Sequence, residues 1–116
     1  MKRAKLTAVL FIILMFTAGT AYSGADKGRS LFNDKSLGTN GKSCNTCHSG
    51  GGDINGSKEK FTILGSEQNS IEDAVNFCIK MALNGKPLEK DSSKMKDLVS
   101  YLKTLKGGSE SETPGY

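Results

Sequence analysis

The stretch CNTCH, Cys44 to His48, lies within the run GTNGKSCNTCHSGGGDINGS, residues 38–57. It sets two thiols one helical turn apart and follows them at once with the only histidine in the chain. Three chemistries use such a set. A haem takes both sulfurs as covalent anchors and the imidazole at iron. A zinc ion takes thiolates and imidazole together, and a thiol–disulfide pair uses the cysteines alone.

The spacing separates the three. In C-x-x-C-H, the haem vinyls form thioethers to Cys44 and Cys47, and His48, the next residue, comes to lie under the ring as proximal iron ligand. A zinc site would need Cys78 as a fourth ligand beside Cys44, Cys47 and His48. Consecutive Cys47 and His48 are an unusual pair around one tetrahedral ion. The redox pair belongs at the start of a helix in a strand-rich fold, and no strand pattern is visible here. One covalently bound haem c is the expected cofactor.

Haem attachment of this kind takes place after export, and the N-terminus carries an export pattern. MKRAK bears Lys2, Arg3 and Lys5, the apolar run LTAVLFIILMF spans 6–16, and the small residues TAGTAYS follow. Ala21-Tyr22-Ser23 fits the small-x-small cleavage rule, so residues 1–23 are expected to be a cleaved secretory signal. The apolar run is well short of the roughly 20 residues that span a bilayer. No stable membrane insertion is expected after cleavage, and with no cysteine at the cut a lipid anchor is not expected either. The predicted location is the bacterial periplasm.

Removing the signal changes the meaning of the charge. The whole chain carries a formal +4, but Lys2, Arg3 and Lys5 leave with the signal. From Gly24 onward thirteen basic side chains face twelve acidic ones, and Arg29 is the only arginine. Nucleic acid is therefore not an expected partner. The 93 residues after Ser23 hold few large apolar side chains and no tryptophan. A core so small is marginal unless an apolar prosthetic group adds to it.

The remaining pattern is helical. ADKGRSLFND (25–34) reads as a first helix, with Leu31 and Phe32 apolar. SIEDAVNFCIKMALNG (70–85) reads as a second. Ser70 is its N-cap, Asp73 completes a weak capping box and Gly85 is the stop. Its apolar face comprises Ile71, Ala74, Val75, Cys78 and Ala82, with Lys80 pointing away. SSKMKDLVSYLKTLKG (92–107) reads as the last helix, with a stripe of Met95, Leu98, Val99, Leu102 and Leu105 ending at Gly107. EKFTILG (59–65) is expected to be extended or irregular, and 107–116 a disordered polar tail. The predicted fold class is all-α.

GRSLFNDKSLGTNGKSCNTCHSGGG and MKDLVSYLKTLKG resemble the first helix, haem motif and last helix of the small monohaem c-type cytochromes of class I. The resemblance implies a cytochrome c-like fold over 24–106, with three to four helices around one haem. It also implies a crossing of first and last helices at Gly28, Phe32 and Tyr101. VNFCIKMALNGKPLEKDSSKM (75–95) is similar to the matching stretch of thiosulfate dehydrogenases and of the haem subunit of the Sox complex. That likeness implies that Cys78 matches a cysteine that ligates haem iron.

The distal ligand stays open at this point. With one histidine in the chain, a second histidine is excluded. The loop NGKPLEKDSS (84–93), where class I cytochromes carry a methionine, has none, and Leu88 stands near the expected place. Cys78 is the first choice, with Met95 and Met81 as alternatives. Each has a plainer reading as a core contact. The expected function is periplasmic electron transfer with redox partner proteins of the periplasm or membrane. Lysines such as Lys42, Lys58 and Lys86 are available to steer an acidic partner. The alternative is a sulfur-compound oxidoreductase, or a subunit of one, with Cys78 as both ligand and reactive sulfur. Against it, the similar enzymes have arginine three residues after the cysteine, where this chain has Met81, and commonly carry a second haem.

Overall fold

The structure, a computed structural model, describes residues 23–107. The expected signal and tail fall, apart from Ser23 and Gly107, outside the described residues. Helix α1 (Gly24–Phe32) starts at Ser23, whose hydroxyl accepts the Asp26 N–H at 3.3 Å. Such a side-chain cap satisfies a donor that the first turn leaves unpaired. After a single 3-10 turn at Lys35–Leu37 comes the one-turn helix α2 (Cys44–Cys47). Helices α3 (Ile71–Ala82) and α4 (Ser93–Leu102) follow, capped by the hydroxyls of Ser70 and Ser92.

The two longer helices end earlier than their sequence patterns suggest. At the end of α3 the left-handed residue is Asn84 (φ 51°), not Gly85. Gly85 serves a different need: any Cβ there would run into the Leu37 carbonyl. Helix α4 stops at Leu102 rather than running to Gly107, because the chain turns away to pair with the segment after the CNTCH loop. Gly56 N–H donates to Leu105 O at 2.9 Å and Gly107 N–H donates to Ile54 O at 2.8 Å.

A small sheet corrects the all-α expectation. Strands β1 (Phe61–Ile63) and β2 (Ser66–Gln68) pair antiparallel, Phe61 opposite Gln68 and Ile63 opposite Ser66. The turn residues Leu64 (φ 50°) and Gly65 (φ 77°) are both left-handed, as the twist of a two-residue hairpin turn demands. Three residues per strand are too few to register as alternation, and leucine is not a residue that announces such a turn. The architecture is otherwise helical.

Helix α1 crosses α4 at Gly28. A Cβ on Gly28 would stand 2.6 Å from Tyr101 Cβ and closer still to the Asp97 carbonyl oxygen, so only glycine permits this approach. Phe32 and Tyr101 meet edge-on one turn away, ring centroids 5.3 Å apart. The crossing buries Phe32 against Met95, Leu98, Val99 and Leu102 of α4. Gly28→Ala therefore has opposing effects. Helix propensity improves by about 1 kcal/mol, but backbone contact forces the helices apart, and overpacking costs about 1–3 kcal/mol or more. The expected result is net destabilisation, seen as a lower denaturant midpoint with little change in slope.

Candidate haem site

Helix α3 has two apolar faces. Ile79 and Leu83 pack into the core with Leu37 and α4. Ile71, Ala74, Val75, Cys78 and Ala82 line a cavity of about 420 Å³. The stripe read from the sequence is thus part of the cavity wall, where Leu83 joins it, while Ile79 is turned wholly into the core. Leu98 and Leu102 of α4 and Phe61–Ile63 of β1 continue the wall. Prosthetic-group and ligand pockets run from roughly 300 to 1,000 Å³ and are mostly apolar, so the size and lining suit a flat apolar macrocycle.

Cys44, Cys47 and His48 line the same cavity. Their one-turn helix is closed locally. Ser43 N–H donates to Thr46 Oγ1 at 2.9 Å, and His48 N–H donates to Cys44 O at 2.9 Å. Beyond His48, Gly50 (φ 65°) and Gly51 (φ 72°) take the left-handed conformation and reverse the chain. Asp53 returns to the histidine, its Oδ2 2.7 Å from His48 Nδ1. Asp53 was not singled out in the sequence; the glycine pair two residues before it was the available signal.

The opposing ends of α3 are held as well. Thr39 N–H donates to Leu83 O at 2.9 Å and Asn40 Nδ2 donates to Ala82 O at 2.9 Å, so the loop before CNTCH caps the α3 C-terminus. The Asn76 amide makes two hydrogen bonds of 2.8 Å to the backbone of Leu88, one to its N–H and one to its carbonyl. Lys90 Nζ lies 2.6 Å from Asp73 Oδ1. The 83–92 loop is strapped along α3, and Leu88 packs at the edge of the core rather than lining the cavity.

The three sulfur residues considered as distal ligand have different surroundings. Cys78 lines the cavity together with His48. Met95 is 0 % exposed, sealed in the core among Phe32, Leu98 and their neighbours, and does not line the cavity. Met81 is 62 % exposed and outside the cavity. Burial pushes the Cys44 thiol up to about 11, with nearby Cys78 adding to the shift. Burial also raises the Cys78 thiol, helped by Cys47. Both are therefore neutral thiols at neutral pH.

Neither competing chemistry gains support from this geometry. Among the described residues no three His, Cys, Asp or Glu side chains converge as a metal-ion cluster. The short hairpin is far from the strand-rich frame of a thiol–disulfide enzyme. Among the described residues no helix is long and apolar enough to cross a membrane.

The family model described as SoxA/TsdA, cytochrome c domain, matches residues 27–110. Among solved structures, the crystal structure of SoxXA from P. pantotrophus is similar, with a TM-score of 0.57 and 26 % sequence identity. The likeness covers 72 % of this chain and 33 % of that one, so the chain spans about a third of that protein's length. No curated protein sequence matches significantly.

Proposed function

The chain belongs to the SoxA/TsdA cytochrome c domain family, and from that membership we propose that it is an exported monohaem electron carrier with His48 and Cys78 as axial ligands. Its cofactor is covalently bound haem c, which supplies a one-electron Fe(III)/Fe(II) couple. Cys44 and Cys47 anchor it as thioethers. The observation that carries the axial assignment is the common cavity: His48 and Cys78 both line it, whereas Met95 is sealed in the core and Met81 faces solvent. The apolar faces of α3 and α4 exclude water from the ring. Lys58 and Lys60 also line the cavity; Lys60 is paired with Glu67 at 3.3 Å, and Lys58 brings positive charge suited to the haem carboxylates.

The reading places the protein in the periplasm after loss of the N-terminal signal. Ser23 caps α1, so a cut two residues earlier, after Ala21, would leave that cap on the mature chain. Redox partners would be proteins of the periplasm or membrane, and the exposed Lys42, Lys58 and Lys86 are candidates for steering acidic ones. The alternative, sulfur-compound oxidation at Cys78, rests on the same cavity placement and on the family. It lacks a cationic side chain at position 81, where an exposed methionine stands.

Turnover separates carrier from enzyme. Oxidised holoprotein is mixed with thiosulfate and with ferricyanide as electron acceptor. A carrier takes up a single electron per haem from an artificial reductant and shows no steady consumption of ferricyanide with thiosulfate. Sustained, thiosulfate-dependent consumption that needs the haem-loaded protein would overturn the carrier reading in favour of the oxidoreductase.

A further inference from the structure

We propose that Asp53 is a positioning residue for the proximal iron ligand: its carboxylate holds His48 in one tautomer and one ring orientation and lowers the haem reduction potential. The inference rests on the haem reading above. The starting observation is the 2.7 Å separation of His48 Nδ1 and Asp53 Oδ2. An ionised carboxylate only accepts hydrogen bonds, so the proton of the neutral imidazole sits on Nδ1. The lone pair of Nε2 is then the one left for a metal.

The position of Asp53 is built by the backbone. The Asn45 side chain accepts the Gly50 N–H at 2.8 Å, and Gly51 N–H donates to His48 O at 2.7 Å. Ile54, next to Asp53, donates to Gly51 O at 3.1 Å and accepts from Gly107 N–H at 2.8 Å. The carboxylate is thus delivered to the histidine by a reversed loop pinned at both ends. A Cβ on Gly51 would stand 2.7 Å from Leu105 Cδ1, so the loop also lies tight against the C-terminal segment.

The chemistry follows from the bond. A metal-bound imidazole whose other N–H is given to a carboxylate is a stronger electron donor and is fixed in orientation. Stronger donation favours Fe(III) over Fe(II), which lowers the potential. Side-chain exposures of 35 % for His48 and 60 % for Asp53 mean that solvent screens the bare charge. The hydrogen bond itself is therefore the main channel. A charge-assisted bond is roughly twice as strong as a neutral one.

The test compares haem-loaded wild type, Asp53→Asn and Asp53→Ala. Both variants remove the same charge, but Asn keeps a neutral acceptor for the imidazole N–H. Asp53→Ala is expected to shift the Fe(III)/Fe(II) equilibrium toward Fe(II) by about tenfold, which is about 59 mV for one electron, and Asp53→Asn by less. The second readout is the Nδ1 proton in the diamagnetic ferrous carbon monoxide complex of protein labelled with 15N-histidine. The chain has one histidine, so the signal is unambiguous. It should lie far downfield and exchange slowly in wild type, and lose both features in Asp53→Ala. If either the potential or the Nδ1 proton is unchanged in Asp53→Ala, or if both variants shift the potential equally, the assignment is overturned. Haem remaining on the denatured polypeptide shows that such an outcome strikes only at Asp53. Absence of covalent haem in wild type would strike instead at the reading beneath it.

Discussion

Cys78→Ser is expected to change the ferric haem spectrum and raise the reduction potential by at least about 59 mV, a tenfold shift for one electron. Thiolate ligation pushes electron density onto iron and favours Fe(III), whereas a hydroxyl is a weak donor. Cys78 lines the cavity shared with His48, so under the proposed ligation its replacement would act at the iron. Met95→Leu is the counterpart. Met95 is fully buried in the core, and a near-isosteric swap there costs less than about 1.5 kcal/mol in stability. Its effect is expected on the denaturant midpoint and not on the spectrum. A methionine-to-iron charge-transfer band in the wild-type near-infrared spectrum would contradict the assignment. So would a silent Cys78→Ser beside a spectrally disruptive Met95→Leu. The second result would move the ligand to Met95, the first alone to Met95 or Met81, and either would weaken any case for sulfur chemistry.

The Cys44→Ala, Cys47→Ala double variant is expected to lose its haem to acid–acetone, while the wild-type haem stays with the denatured chain. Without the thioethers only axial ligation holds the group, and acid releases it. The consequence for the fold is large. Without haem the mostly apolar cavity of about 420 Å³ loses its filling, and the chain is left with a core small for its length. The variant without haem should show no cooperative thermal transition near that of the wild type. Wild-type haem that extracts completely into the solvent would refute covalent attachment.

Much of this arrangement is local, and the sequence by itself determined it. The C-x-x-C-H spacing implies a thioether-linked haem because two anchors and a ligand follow one another within little more than a turn. Ser70 and Ser92 start their helices through bonds to residues three positions on. The stripe of Ile71, Ala74, Val75, Cys78 and Ala82 follows from helical periodicity alone. Gly28, Phe32 and Tyr101 were legible through the resemblance, since the close crossing requires a residue without a side chain.

Other features depended on how the elements sit against one another. Cys78, Met81 and Met95 are all sulfur residues on or near apolar stripes, and periodicity does not say which stripe faces a cavity and which faces a core. The rotation of α3 is set by Ile79 and Leu83 packing beneath it, and that of α4 by its crossing with α1. Together they turn Cys78 toward the cavity and Met95 away from it. The hairpin was hidden because three-residue strands gain their stability from partners rather than from propensity. The Asp53–His48 contact was hidden because it spans a reversal made by two left-handed glycines, and backbone turns bring side chains together without leaving a period in the sequence.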